Sequence, residues 1–317
     1  MTGGSCLTPN PAGVAAVLVT YHPDTHFIER LNVLLAQITR IAIVDNGSEK
    51  SCLLPLEPYL GDETRVTILR NHANLGIATA LNQGFEQLIA EGYRWVLTLD
   101  QDSVPVAGMV SALCNRVSAD PDPLSIALVG ANRRDPVDPD AEHLWLRPKK
   151  RFPFFERIGC EGLDHRGTTT VITSGTLTNA TVFQEIGRFR EGFFIDLVDT
   201  EYCLRARRAG YRIVVACGAN IVHRIGNKRP TSILGIKVVA THHAPVRRYY
   251  LFRNTLALVG EYFRIYPHWA IYHGLALAQI LLGVLLLERR KAATLRACFL
   301  GVFDAIRGNF GPARFEI

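Results

Sequence analysis

Within its first hundred residues the chain alternates short apolar runs with helical patterns, and this alternation constrains the fold more than any other feature. Val14–Thr20, Ile41–Val44, Val66–Leu69 and Trp95–Leu99 are compact runs with the length of buried strands. Phe27–Gln37 and Ile77–Ala90, lying between them, carry apolar residues at helical spacing. Strands that alternate with helices build an α/β fold around a Rossmann-like, doubly wound, mostly parallel sheet. In such sheets ligands bind beyond the carboxyl ends of the strands. Three of the four strands run into polar residues there: Thr20-Tyr21, Asp45-Asn46 and Asp100-Gln101-Asp102.

Further along, the pattern predicts a helix over Met109–Val117 and a strand over Ile126–Gly130. Residues Arg133–Gly167 are rich in proline and both charges, and read as irregular. Val171–Leu177 returns to strand character. Thr200–Gly210 reads as a helix closed by its terminal glycine, and Ile213–Ala216 and Ala219–Val222 as short strands leading to His223. The expected division is a flexible arm over 1–13, an α/β domain over 14–235 and a C-terminal helical region over 236–317.

In that last region Arg247–Phe263 interleaves cationic and aromatic residues at helical spacing. Trp269–Leu287 is then nearly continuous apolar sequence, followed by Glu288-Arg289-Arg290-Lys291. Its length just reaches the range of a membrane span, but His273, Gln279 and several small residues interrupt it. The expectation is a helix that packs on its own domain or lies at a membrane surface, where the following basic residues favour anionic headgroups.

The formal net charge of +6 suits an anionic ligand or an anionic membrane surface. No zinc-finger spacing or RNA-binding aromatic signature accompanies it, so nucleic acid is not an expected partner. Arg147-Pro148-Lys149-Lys150-Arg151 reads as a solvated loop. The seven cysteines are scattered and contain no Cys-x-x-Cys pair, which predicts reduced thiols in a cytoplasmic protein. The N-terminus lacks a basic region followed by an apolar run, so no signal peptide is expected.

Asp100 and Asp102 stand one residue apart at the end of a strand. In extended backbone, residues i and i+2 face the same way, so both carboxylates could converge on one point. Two like charges in proximity are costly without a cation between them or a proton on one. Carboxylate oxygens suit a hard divalent ion such as Mg2+ or Mn2+, above all one that also holds phosphates. The alternative is a strand end followed by a polar turn. A nicotinamide-dependent oxidoreductase fits less well, because the first strand runs into Thr20-Tyr21-His22-Pro23 with no Gly-x-Gly-x-x-Gly.

Val19-Thr20-Tyr21, Val44-Asp45-Asn46-Gly47-Ser48, Asn74-Leu75-Gly76 and Leu99-Asp100-Gln101-Asp102, in this order, resemble the inverting glycosyltransferases of family 2, with the GT-A fold. Leu99–Ser103, Thr173-Ser174-Gly175 and Phe194–Ala206 are similar to the bacterial rhamnosyltransferase subgroup. His223-x-Ile225-Gly226 and Arg248-Tyr249-Tyr250-x-x-Arg253-Asn254 complete the set. The resemblance implies a metal-dependent transferase of L-rhamnose from dTDP-L-rhamnose to a lipid-linked saccharide, in cell-surface polysaccharide synthesis at the inner face of the membrane. The same machinery with another donor, such as a UDP-sugar, is the near alternative. A non-catalytic nucleotide- or lipid-binding scaffold is the alternative of another class, and would be marked by loss of the carboxylates, which are present.

Carried over residue by residue, the resemblance places Thr20 and Tyr21 against the nucleoside and has Asp45 accept a hydrogen bond from the pyrimidine N3–H. Asp45-Asn46-Gly47-Ser48 is also a strong turn sequence by itself. His22 stands where relatives often carry asparagine. Asn74 and Gly76 precede a helix whose free N–H groups could face an anionic donor, or simply cap it; Asn82, on that helix, would also face the nucleotide. Asp102 would bind Mg2+ or Mn2+ with His223, and Asp100 would contact the ribose or metal-bound water. Asp199 would be the base that takes the acceptor proton, although a carboxylate at that point also suits a helix N-terminus. Glu201, Ser174 and Asp196 would lie toward the acceptor, with Asp196 the second choice as base. Arg248, Tyr249 and Arg253 would contact the diphosphate or the lipid-linked acceptor, or else pack a helix with snorkelling arginines.

Overall fold

The computed structural model describes residues 8–59, 64–136, 143–152, 154–163, 167–223, 228–233, 236–241, 244–288 and 290–314. Ile225 and Gly226 lie outside the described residues. The first elements follow the sequence pattern: β1 (Val14–Thr20), α1 (Phe27–Leu35), β2 (Arg40–Asp45), α2 (Lys50–Leu53), β3 (Val66–Arg70), α3 (Ile77–Ala90) and β4 (Trp95–Asp100). Then come β5 (Val104–Pro105), α4 (Met109–Ser118), β6 (Ile126–Arg134), β7 (Trp145–Pro148), β8 (Phe155–Ile158), β9 (Thr176–Asn179), α5 (Ala180–Ile186), α6 (Val198–Arg208) and β10 (Arg212–Val222). β11 (Lys228–Ile233) pairs antiparallel with β12 (Ile236–Thr241), and α7 (Pro245–Tyr262), α8 (Pro267–Leu287) and α9 (Lys291–Arg307) complete the chain.

The main sheet has eight strands in the order β3-β2-β1-β4-β9-β6-β10-β5. β1 pairs in parallel with both β2 and β4, β2 with β3, and β6 with β10. β9 runs antiparallel between β4 and β6, and β5 antiparallel beside β10. Every residue of β1 and β2 is buried, as expected of central parallel strands covered on both faces. The register sets Thr20 beside Asp45 and Val19 beside Asp100, so the polar ends of three strands share one edge of the sheet. Helix α3 crosses this sheet closely: a Cβ on Gly84 would come within 2.5 Å of Val17.

Three expectations are corrected. Val171–Leu177 does not form a continuous strand, because only Thr176–Asn179 pairs, and Thr173-Ser174-Gly175 turns ahead of it. Gly175 takes a φ of 79°, open to glycine at no steric cost, and the Thr98 hydroxyl donates to the carbonyls of Thr173 and Thr176. The two short strands expected before His223 are one strand, β10, with a register irregularity between Ala216 and Asn220. Cys160 and Cys217 form a disulfide, against the expectation of reduced thiols throughout. Their separation of 57 residues conceals a Cα–Cα distance of 5.7 Å that only the folded chain creates.

The chain divides into two compact units, Met1–Leu146 with Arg157–Arg190 and Asp199–Arg224, and Arg147–Glu156 with Glu191–Val198 and Ile225–Ile317. In the first, the side chains of β1, β2 and β4 build one core with Phe27, Leu31 and Leu34 of α1 and Met109, Val110 and Leu113 of α4.

In the second unit α7 grips the segment before α6. Phe194, Asp196 and Leu197 all adopt φ near 62° without being glycine, a conformation L side chains disfavour by roughly 1–2 kcal/mol per residue. The Asn254 amide donates to the carbonyls of Phe193, Ile195 and Asp196. Arg253 donates to those of Gly192, Phe193 and Gly311. Arg247 pairs with Asp196 at 2.8 Å, and the Tyr250 ring stacks on Phe194. These bonds hold the otherwise unfavourable backbone.

The same contacts bear on the two readings of Arg248, Tyr249 and Arg253. Arg253 is fully buried among carbonyls and the rings of Tyr249, Tyr250 and Phe310. Arg248 is buried against Glu288, and Tyr249 donates to Asp304. All three are committed inside their own unit instead of facing a diphosphate or an acceptor. Helices α8 and α9 leave apolar side chains outside, among them Leu275, Leu282, Leu285, Leu286, Phe299, Phe303 and Ile306. Among the described residues Pro267–Leu286 is the one segment long and apolar enough to cross a membrane, and only 22% of it is buried.

Candidate active site

Asp100 ends β4 and Asp102 follows in the next turn, closed by the Ser103 N–H donating to the Asp100 carbonyl. His223 follows β10, and its N–H donates to the Arg134 carbonyl at the end of β6. The strand order therefore brings His223 to Asp102 and Asp100, 121 and 123 positions earlier in the chain. His223 Nδ1 lies 3.4 Å from an Asp102 oxygen, and Nε2 lies 3.8 Å from an Asp100 oxygen. One ligand atom from each of the three falls within 4.8 Å of the others. Two carboxylate oxygens and an imidazole nitrogen are a fitting donor set for Mg2+ or Mn2+.

The electrostatics agree with this geometry. Burial works against both charged groups, but the hydrogen bond and charge of His223 hold Asp102 below the ordinary carboxylate value. Burial likewise lowers His223, yet the Asp102 hydrogen bond and both aspartates outweigh it and raise the imidazole. The site thus attracts positive charge. The Asp102 side chain is 53% exposed and Asp100 34%, so both carboxylates are open to a ligand.

Asp199 lies at the start of α6. One of its oxygens accepts the Thr173 N–H at 3.2 Å, and the other accepts the N–H and hydroxyl of Thr200. Next in the chain, the Ser174 hydroxyl accepts the Asp100 N–H at 3.2 Å. Asp199 and the Asp-Asp-His cluster therefore both bond to a single tripeptide, Thr173-Ser174-Gly175, whose Gly175 N–H donates to the Thr98 carbonyl of β4. The other two carboxylates near this helix are occupied: Glu201 is buried in a two-pronged pair with Arg205, and Asp196 meets Arg247.

Several of the expected contact residues are buried. Asn82 exchanges both amide bonds with the Phe189 backbone. Ser174 is buried as well, and Glu201 pairs with Arg205. Thr20 and Asp45 are 0% and 1% exposed. The Asp45 carboxylate accepts bonds from Thr20, from the Ser48 hydroxyl and from the Ser48 N–H, which is the turn its sequence favours. Asn74 accepts the Gly76 N–H and the Asn46 amide, so it shapes the approach to α3, where Gly76 has φ 88°. Tyr21 is 46% exposed beside these residues.

Sequence reasoning missed four groups here. Gln101 points away from the two aspartates and clamps the Tyr21 backbone through both ends of its amide. Arg30 donates to the Gln101 carbonyl and supplies positive charge near Asp102. Arg133 reaches the His223 carbonyl at 3.5 Å. Ser103 sits beneath the histidine. All four depend on where the turn after β4 meets β1, α1, β6 and β10 in the folded chain.

A model of the family described as Glycosyl transferase family 2 matches residues 16–187, more than half of the 317. The dTDP-rhamnosyl transferase RfbF of Shigella flexneri is 28% identical over 317 residues, covering 96% of this chain and 99% of that protein. Among solved structures, the mannosyltransferase PcManGT from Pyrobaculum calidifontis, in complex with GDP-Man and Mn2+, superposes with a TM-score of 0.56 at 14% identity, over 95% of this chain and 89% of its own. GalNAc-T7 with UDP, GalNAc and Mn2+ gives 0.57 at 13% identity over 81% of this chain, which spans about half (49%) of that one. These two likenesses bear on the fold alone, and agree with the mostly parallel GT-A sheet. The chain belongs to glycosyl transferase family 2 and is a glycosyltransferase.

Proposed function

We propose that the protein is an inverting, metal-dependent rhamnosyltransferase that moves L-rhamnose from dTDP-L-rhamnose to a lipid-linked saccharide. The observation that carries this reading is that Asp199 and the Asp100-Asp102-His223 cluster both bond to one tripeptide, Asp199 through the Thr173 N–H and Asp100 through the Ser174 hydroxyl. Inversion needs a base on one face of the sugar and charge stabilisation at the leaving group on the other. The full-length similarity to a dTDP-rhamnosyl transferase supports the donor, and the Mn2+ bound in the two solved neighbours supports the ion.

In this reading Asp102 and His223 hold Mg2+ or Mn2+, and Asp100 orients the ribose or a water beside it. A divalent ion so held would neutralise charge on the departing nucleoside diphosphate. Asp199 accepts the proton of the acceptor hydroxyl as that oxygen bonds to the anomeric carbon. The bond from that carbon to the diphosphate breaks, and its electron pair leaves with the nucleotide. The N–H groups of Thr173 and Thr200 hold the Asp199 carboxylate in place during this exchange. Tyr21 supplies an exposed ring for the base, and the turn built by Thr20 and Asp45 presents it.

The test is a donor screen on the purified protein with dTDP-L-rhamnose, UDP-sugars and GDP-mannose, against polyprenyl-diphosphate saccharides, with and without EDTA. Transfer from dTDP-L-rhamnose that EDTA abolishes and Mn2+ or Mg2+ restores is expected. Preference for a UDP-sugar would replace the donor, and chelator-insensitive transfer would remove the metal.

A lipid-linked acceptor calls for contact with the membrane. The exposed Phe299, Phe303 and Ile306 of α9 lie between Arg296 and Arg307, a pattern that suits an anionic headgroup layer. The full chain should cosediment with phosphatidylglycerol vesicles. Replacing Phe299 and Phe303 by aspartate should weaken this by at least about tenfold, since each ring contributes some 1.5–3 kcal/mol when buried. Equal binding by the variant would locate the contact elsewhere.

A further inference from the structure

We propose that Ser103, backed by Ser174, is a positioning residue that selects the tautomer of His223 and so makes its Nε2 the metal-binding nitrogen. Ser103 is 3% exposed and Ser174 2%. Their hydroxyl oxygens lie 2.6 Å apart, and Ser103 Oγ lies 2.8 Å from His223 Nδ1. Neither hydroxyl is therefore free to turn toward solvent. The inference rests on the metal reading above, and concerns what the chain does to prepare for the ion.

The argument is one of hydrogen counting. Ser174 Oγ already accepts the Asp100 N–H, and this bond anchors the far end of the chain. Ser103 has one hydroxyl hydrogen for two close partners. If it donates to Ser174, then Nδ1 carries the hydrogen, facing Ser103 Oγ at 2.8 Å with an Asp102 oxygen at 3.4 Å from the same nitrogen, and Nε2 is left with a lone pair on the side of Asp100. If it donates to His223 instead, Nε2 carries the hydrogen and cannot ligate. With Ser103 at 2.8 Å occupying Nδ1 in either case, Nε2 is the nitrogen left for an ion, and ligation requires the first arrangement. A partner on the second ring nitrogen commonly sets tautomer and ring orientation in metal-binding histidines.

Because Ser103 touches no reacting atom, its role is read on the histidine and on the ion. Long-range proton–nitrogen spectra of the metal-free protein at alkaline pH, with His223 assigned through His223→Gln, should show the Nδ1–H tautomer. Ser103→Ala should move that signal toward Nε2–H and weaken Mn2+ binding, measured by the paramagnetic resonance of free Mn2+, by about ten- to a hundredfold. Ser103→Thr, which keeps the hydroxyl, should restore most of the affinity. Ser174→Ala removes the acceptor behind Ser103 without touching His223, and should give a smaller loss in the same direction. This second variant serves if Ser103→Ala does not fold. A folded Ser103→Ala protein with the wild-type tautomer and wild-type Mn2+ affinity overturns the inference. If the wild type itself binds no Mn2+, or binds it equally well as His223→Gln, the metal reading fails first; the two failures are thereby distinct.

Discussion

Asp199→Asn is expected to lower kcat by about 10²–10⁴-fold, the usual contribution of a positioned general base, while nucleotide binding stays near wild type. The substitution is nearly isosteric. The amide oxygen can still accept a bond from Thr173 or Thr200, so the start of α6 should hold. What disappears is the group that takes the acceptor proton as the new glycosidic bond forms. Single-turnover transfer with saturating donor is the measurement. Asp196→Asn is the internal comparison, because Asp196 pairs with Arg247 and belongs to the segment gripped by Asn254. Its replacement should cost far less turnover than that of Asp199. A near wild-type rate for Asp199→Asn would transfer the base to another residue, and a collapse confined to Asp196→Asn would name which one.

Asp102→Asn is expected to abolish metal-dependent transfer, with a loss on the order of 10³-fold. Stabilising the departing diphosphate is worth several kcal/mol, and each 1.36 kcal/mol is a factor of ten. Asparagine keeps one accepting oxygen but loses the charge that offsets the ion and that raises the His223 imidazole. Mn2+ titration should show weakened binding, and excess Mn2+ should recover only part of the rate. Asp100→Asn should fall between wild type and Asp102→Asn if Asp100 contacts nucleotide or metal-bound water. Full activity of Asp102→Asn that still responds to EDTA would place the ion on other ligands.

The legible part of this protein is the part governed by local pattern. β1 and α3 are continuous in burial or spacing, and their sequence limits coincide with the folded elements. Asp100-Gln101-Asp102 was readable because the apolar run of β4 stops at two aspartates one residue apart, although the folded chain turns there and is no longer a strand. Thr173-Ser174-Gly175 was misread as strand. Its β-branched and apolar neighbours match a strand, whereas Gly175 and the Thr98 hydroxyl make it a turn. Asn82, Ser174 and Glu201 illustrate a further limit. Polar residues in functional-looking motifs can serve the interior, and their choice depends on partners such as Phe189, Ser103 and Arg205.

The amino-acid sequence by itself determined the α/β class and the family, because these follow from periodicity and from motifs in fixed order. Only the tertiary structure decided what each acidic residue near the start of α6 bonds to. Three acidic residues lie within six positions of one another around the start of α6, and sequence cannot say which of them an arginine already holds. Folding gives Asp196 to Arg247 and Glu201 to Arg205, and sets Asp199 against the tripeptide that also touches Asp100. Likewise His223 meets Asp102 because β10 pairs antiparallel with β5, which sets Val222 beside Val104, a neighbourhood created by long-range pairing that no local pattern encodes.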